Sequence, residues 1–322
     1  MSAAHRGGLI TVGETMGLVQ AVEPGPLRHA RYLQLGVAGA ESNVAIGVRR
    51  LGHDSTWIGR VGDDEMGDLV EATLRGEQVG LCVDRDPARP TGLMIKSQRT
   101  SSTTKVSYYR VGSAASALRP EDLPLDRIAA AAVLHITGIT AALSASCREA
   151  IEVAVAHAAR NSTLVSFDVN HRTALWTDAV AGPVLRRVAA TADVVFAGED
   201  EAAVLLGVDA GMPAARLAAA IGDLGPAEVV IKRGAAGALA LVDGQIAEQP
   251  GIAVAAVDHV GAGDAFVAGY LAAYLDGADF RERLRTANMT GAFAVTVAGD
   301  WEGAPTRDEL GLLGHVAGTV LR

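Results

Sequence analysis

Residues 258–277, DHVGAGDAFVAGYLAAYLDG, place a glycine-rich turn directly before an apolar run of helical spacing, with one carboxylate, Asp264, at the junction. Gly261 and Gly263 let the backbone turn tightly and approach a ligand closely. The run that follows, DAFVAGYLAAYL, reads as a helix whose first N–H groups lack intrahelical partners and carry partial positive charge. The junction is therefore an anion site, and phosphate is its usual occupant. Two common phosphate loops are excluded: the chain has no Gly-Lys dipeptide, so no Walker A motif, and Phe266 stands where a dinucleotide fingerprint needs its third glycine. Asp264 then has two readings. As a helix cap it stabilises the first turn. As a positioned base it accepts a hydroxyl proton late in phosphoryl transfer, whose loose transition state needs little early proton removal.

On the N-terminal side of this stretch, short β-branched runs alternate with Ala- and Leu-rich segments of helical spacing. GLITVG, STWIGRVG, AAVLHITG, STLVSFDVN, ADVVFAG, AEVVIKRG and ALALVDG are the strand candidates. EMGDLVEATLRGEQ, ASCREAIEVAVAHAARN, GEDEAAVLLG and AARLAAAIGDLG read as helices, several closed by a C-terminal glycine. This order predicts an α/β fold with a mostly parallel sheet covered by helices on both faces. No linker, repeat or low-complexity tract divides the chain, so one domain is expected over 1–322.

Two segments break the rhythm. Residues 31–37 and 91–111 alternate with period two and carry no crossover helix, which predicts an antiparallel flap beside the main sheet. In the second, Val106, Tyr108 and Arg110 share one face while Lys105, Ser107 and Tyr109 share the other. Tyr108 and Arg110 either address one ligand together or belong to an ordinary exposed hairpin with a solvated guanidinium.

Composition narrows the function. Of 322 residues, 49% are apolar and 20% charged, ordinary for a packed globular chain. The formal net charge is −9 with basic residues scattered, which argues against nucleic-acid or anionic-membrane surfaces and favours small-molecule chemistry. No apolar run is long enough to span a membrane and the N-terminus has no signal-peptide core, so a cytoplasmic protein is expected. Cys82 and Cys147 are too few and too far apart for a zinc site, and the histidines lack metal-ligand spacing.

The stretch DHVGAGDAFVAGYLAAYL closely resembles the second signature of the ribokinase-like (PfkB-type) carbohydrate kinases, and GVAGAESNVAIGVRRLG at 36–52 resembles the first. The similarity extends across nearly the whole chain. VIKRGAAGALALVDG (230–244) is similar to that family's nucleotide hairpin, and RTANMTGAFAVTVAGD (285–300) to its adenine-side helix and C-terminal loop. The resemblance implies a three-layer αβα sandwich with a small β-sheet lid from segments of about 13–38 and 90–112. It also implies an ATP- and Mg2+-dependent phosphotransferase acting on an alcohol, with Asp264 as the base and Gly261, Ala262 and Gly263 as its anion hole.

Within the family the chain looks most like the 2-keto-3-deoxygluconate kinases. The Asn-x-Asp that holds neutral sugars is replaced by GETMG, with Glu14, while SYYRVGSAASAL (107–118), LHITGITAALS (134–144) and SFDVNHRTALW (166–176) resemble sugar-acid-binding segments. An acid substrate favours planar guanidinium partners. Carried over, Gly39, Asn43, Tyr108, Tyr109, Arg110, Arg172, Asp264 and Asp300 would contact the sugar acid. Lys232, Arg233, Gly234, Ala235, Gly237, the 261–263 loop and Asn288 would contact the nucleotide, and Glu201 would serve the metal, directly or through water. Departures exist: Ala38-Gly39 replaces Gly-Gly, Met94 stands where a flap tyrosine is common, and Gly198-Glu199-Asp200-Glu201 replaces Asn-x-x-Glu. Alternatives are a kinase for a neutral sugar such as fructose or ribose, and a catalytically silent sugar-acid-binding pseudokinase. A homodimer formed through the lid is implied as well, since pairing hides an exposed strand edge.

Overall fold

The computed structural model describes residues 7–100 and 103–314; Ser101 and Ser102 of the flap segment, and both ends of the expected 1–322 span, lie outside the described residues. The chain opens with β1 (Gly7–Val12), β2 (Met16–Ala21), β3 (Leu33–Ala38), α1 (Ala40–Arg50), β4 (Ser55–Gly62), α2 (Glu65–Gly76) and β5 (Gly80–Asp86). It continues through β6 (Leu93–Thr100), β7 (Thr103–Tyr109), α3 (Leu125–Ala130), β8 (Ala131–Thr137), α4 (Gly138–Leu143), α5 (Ala145–Arg160) and β9 (Leu164–Asp168). Then come α6 (Asp178–Ala189), β10 (Val194–Gly198), α7 (Glu199–Leu206), α8 (Ala214–Gly222) and β11 (Glu228–Lys232). The hairpin β12 (Ala238–Val242) and β13 (Gln245–Gln249) and the helices α9 (Ala262–Leu275) and α10 (Phe280–Ala294) complete it.

A nine-stranded sheet runs β13-β12-β11-β10-β9-β8-β1-β4-β5. It is parallel from β11 to β5, and β12 and β13 extend it antiparallel. Alternate side chains divide between two cores, as the pleat requires. Ile10, Leu134, Val195 and Ile231 pack on one face with α5, α6 and α8. Leu9, Val133, Phe196 and Val230 pack on the other with α1, α9 and α10. The architecture is thus an αβα sandwich. Helix α9 is apolar all round because it is buried against α1, α10 and the sheet. A Cβ on Gly47 of α1 would lie 2.6 Å from the Ala268 side chain, so only a glycine lets the two helices approach this closely. That approach brings the start of α1 beside the start of α9.

A separate four-stranded sheet has the order β3-β2-β6-β7. The flap expected to be antiparallel is mixed: two antiparallel pairs, β2–β3 and β6–β7, are joined by a parallel β2–β6 ladder. The reason is that β2 and β6 each follow a strand of the main sheet and enter the lid in the same direction. Register puts Met16, Leu18, Met94, Val106 and Tyr108 on the inner face and Val19, Leu33, Leu35, Ile95 and Tyr109 on the outer. Among the described residues, no helix is long and apolar enough to cross a membrane.

Candidate active site

A pocket of about 530 Å3 lies at the carboxyl ends of the parallel strands, beneath the inner face of the lid. Open parallel sheets bind ligands here because the strand order reverses, in this chain between β1 and β8, and the loops diverge to leave a crevice. Glu14 follows β1, Ile139 follows β8, Asn170 and Arg172 follow β9, Gly198 ends β10 and Glu201 follows it, and Lys232 ends β11. The lid contributes Met16, Ala38, Met94, Val106 and Tyr108 from above.

Gly261 caps α9 with φ +76, a left-handed backbone that favours glycine, and a Cβ there would meet the Asp300 carbonyl oxygen at 1.6 Å. The turn therefore presents the opening N–H groups of α9 to the pocket, lined by Gly261, Gly263 and Asp264. Lys232 Nζ lies 3.8 Å from where a Cβ on Gly263 would sit, so an ammonium donor stands beside the free N–H groups. Asp168 holds that ammonium with both carboxylate oxygens, at 2.7 and 2.8 Å.

Asp264 accepts a hydrogen bond from Asn43 Nδ2 at 2.8 Å, a contact set by the close α1–α9 packing. Burial pushes its carboxyl up to about 7, with Asp168 adding to the rise; the Asn43 hydrogen bond, Arg172 and Lys232 pull the other way. Protein encloses this carboxyl on every side but the pocket, where water still reaches it. A carboxyl of this kind is a competent proton acceptor near neutral pH. Asp300, also lining the pocket, is pushed up to about 6 by burial, with Glu302 and Asp258 adding and Lys96 opposing.

The expected substrate cations separate into two kinds. Arg110 lines the pocket and stacks over Tyr108, 5.6 Å from guanidinium carbon to ring centre, but its charge is already met by buried Glu14, which accepts from Arg110 Nε and from Ser113 Oγ, each at 2.6 Å. Glu14 is thus an organiser of Arg110. Arg172 lines the same pocket and has no carboxylate within ion-pair distance among the described residues; its one hydrogen bond runs to the His171 carbonyl at 3.4 Å.

Of the residues expected on the sugar side, Gly39, Asn43, Tyr108, Arg110, Arg172, Asp264 and Asp300 line this one pocket; of those expected on the phosphate side, Lys232, Gly234, Gly261 and Gly263 line it too, with Ala262 opening α9 between the two glycines. Tyr109 is a correction: the pleat turns it to the outer face of the lid, 62% exposed. The remaining nucleotide residues do not line this pocket. Arg233 pairs with Glu248, Ala235 and Gly237 pack against the 249–251 backbone, and Asn288 is buried, donating to the Pro250 carbonyl at 2.6 Å. Glu201 lines the pocket with both oxygens engaged, accepting from the His171 and Gly198 backbone N–H groups. Asp168 and Lys96 had no place in the sequence reading. The signal for Lys96 was a lysine in phase with apolar Met94 on an alternating strand.

The profile of the pfkB family carbohydrate kinases matches residues 8–307. A 2-dehydro-3-deoxygluconokinase of Thermoproteus tenax is 37% identical over 306 residues, which is 94% of this chain and 92% of that protein. A 2-dehydro-3-deoxygalactonokinase of Haloferax volcanii is 35% identical over 295 residues, covering 91% and 92%. Among solved structures, an E. coli protein described as a ribokinase II, in complex with ATP and Mg2+, superposes with a TM-score of 0.87 at 25% identity, covering 95% of this chain and 98% of that one.

Proposed function

We propose, from the premise that the chain belongs to the pfkB family of carbohydrate kinases, that it transfers the terminal phosphoryl group of ATP to a primary hydroxyl of a 2-keto-3-deoxy sugar acid. The observation that carries the acid preference is Arg172, a pocket guanidinium left without a carboxylate partner among the described residues. The names and near-complete coverage of the two relatives support the same reading.

The residues divide the work. Asp264, oriented by the Asn43 amide, takes the hydroxyl proton as the new ester bond forms. The opening N–H groups of α9 and the Lys232 ammonium meet the charge on the transferring group. Arg172 grips the substrate carboxylate, and Tyr108 and Met94 cover the sugar chain from the lid. Water is the competing acceptor, and a closed lid keeps it out.

The site fits a nucleotide polyphosphate with a divalent ion. The left-handed Gly261 turn leaves N–H groups free beside Lys232, and Glu201, whose oxygens already accept backbone N–H groups, keeps lone pairs for an ion's bound water. Glu201 would hold a magnesium ion through that water, and the ion, a hard cation preferring oxygen ligands, would supply charge neutralisation on the phosphates.

The lid also supports a homodimer. Its outer face carries Leu35 at 58% exposure, with Leu33, Tyr109, Val19 and Ile95 in the same layer. A second copy of that face would cover both the apolar side chains and the free edges of β3 and β7. Light scattering at the mass of one chain would remove this part.

The test of the activity is ADP release with ATP and a panel of acceptors: 2-keto-3-deoxygluconate, 2-keto-3-deoxygalactonate, fructose and ribose. Turnover confined to the acids supports the reading, and preference for a neutral sugar overturns it. Ligand-induced thermal stabilisation with no ADP release from any acceptor identifies a silent binding protein instead.

A further inference from the structure

Lys96, in the middle of β6, is 1% exposed although it lies on a lid strand. A lysine is rarely this buried without a partner. Its register places it on the inner face, opposite Gln20 and Val106, and its side chain leaves the lid for the body of the protein. The ammonium reaches Asp258 Oδ2 at 2.6 Å and Asp300 Oδ1 at 3.5 Å. Asp258 is itself buried and binds two further donors: Oδ1 accepts from the Val260 N–H at 3.2 Å and Oδ2 from the Gly299 N–H at 3.3 Å. One carboxylate therefore ties together a lid strand, the turn that enters the glycine loop, and the 299–300 segment. That segment is in main-chain contact with Gly261, whose Cβ position would collide with the Asp300 carbonyl.

We propose that Lys96 is a positioning residue for phosphoryl transfer: its ammonium binds the lid to the Asp258 turn and so fixes the aim of the N–H groups at the start of α9. The inference rests on the kinase reading above. Without the ammonium, two buried carboxylates face one another across a gap with no counter-charge, and the turn they shape relaxes. Since Asp264 is three residues beyond Gly261, the base moves with the anion hole. A misplacement of about 1 Å at reacting groups costs about 10²-fold in rate.

The experiment compares parent, Lys96→Ala, Lys96→Met and Lys96→Met/Asp258→Asn for kcat, for KM of ATP and of the sugar acid, and for thermal unfolding. Parent turnover on the acceptor panel establishes the kinase reading first, so its failure is seen separately. Lys96→Ala is expected to lose about 10²-fold in kcat with KM values near those of the parent. Added ammonium or methylammonium should restore its kcat in a saturable way, by occupying the vacated space between the carboxylates, and leave the parent and Lys96→Met unchanged. The double variant replaces the Lys96–Asp258 pair by neutral groups of similar shape, keeps the Val260 acceptor and leaves Asp300 as the one carboxylate without its ammonium, so it is expected to fold where a single variant fails; it is expected to stay slow. Parent-like kcat in any of these variants overturns the proposal. So does a loss of rate that follows unfolding alone and that amines do not reverse.

Discussion

Replacing Asp264 by asparagine tests the base directly, because the amide has the shape of the carboxylate and can still accept from Asn43 Nδ2, now 2.8 Å away. The fold survives such a change; what is lost is the proton acceptor. Positioned general bases contribute about 10²–10⁴-fold, so kcat should fall within that range while KM for ATP and the sugar acid stays near the parent value. The pH dependence sharpens the test. With burial holding the carboxyl up at about 7, half of the free enzyme carries an ionised base at that pH and about a tenth one unit below. The parent's kcat/KM should therefore rise through pH 6–8, and the rate of the Asp264→Asn variant, lacking the group, should be flat there. Stability runs the opposite way. A folded-state value raised above the unfolded one means that the native protein binds the extra proton, so this residue favours folding fully below the unfolded value near 3.8 and the advantage is lost as pH climbs through 7. Asp264→Asn should consequently melt higher than the parent at pH 8, with the difference shrinking toward pH 4. Initial rates by coupled ADP release and melting curves across this range are the assays. An asparagine variant within tenfold of parent turnover, or a parent profile flat from 6 to 8, refutes the assignment.

Arg172→Leu should raise KM for the sugar acid by about 10–150-fold, the value of a charged hydrogen bond of about 1.5–3 kcal/mol, and leave KM for ATP nearly unchanged; equal losses for both substrates would place the guanidinium on the phosphates instead. Leu35→Glu, on the outer face of the lid where the side chain is 58% exposed, should shift light scattering from two chains to one without unfolding the protein. Gly261→Ala should abolish turnover, since its backbone is left-handed and the added Cβ would fall 1.6 Å from the Asp300 carbonyl; an active alanine variant would show that the turn is not held as described.

The strands that carry the site were legible because each is buried on both faces and so reads as a short apolar run: AAVLHIT, LVSFD, VVFAG and EVVIK all became strands ending at the pocket. The edge strands were not. Gly80–Asp86 and Gln245–Gln249 carry charged or amide side chains and are partly exposed, so their pattern resembles loop. Tyr108 and Tyr109 were placed on opposite faces by phase alone, though the family resemblance had drawn both toward substrate. Lys96 shows the limit most clearly. Its phase with Met94 marks the inner face of the strand, but the carboxylates that pair with it lie 162 and 204 positions away in the chain. Local pattern carries no trace of such a pairing.

On the proposed function, charge pairing leaves acid selection to one position. Three arginine or lysine side chains among the described residues line the pocket, at the lid and the strand ends: Arg110, Arg172 and Lys232. Glu14 meets the first and Asp168 the last, so each of these pairs presents hydrogen-bond donors with little net charge. An isolated buried cation is costly, and the pairing lets Arg110 and Lys232 be held rigidly where a solvated side chain would wander. Lys232 keeps one of its three donors for phosphate, because the two oxygens of Asp168 take the other two. Arg172 differs in being exposed and free of a carboxylate among the described residues. It is also one of the groups that draws Asp264 toward ionisation. A substrate carboxylate that engages Arg172 therefore weakens that pull as it binds. On the proposed function, acid recognition and base strength would be coupled through a single guanidinium: a bound acid would leave Asp264 a better proton acceptor than a neutral sugar would.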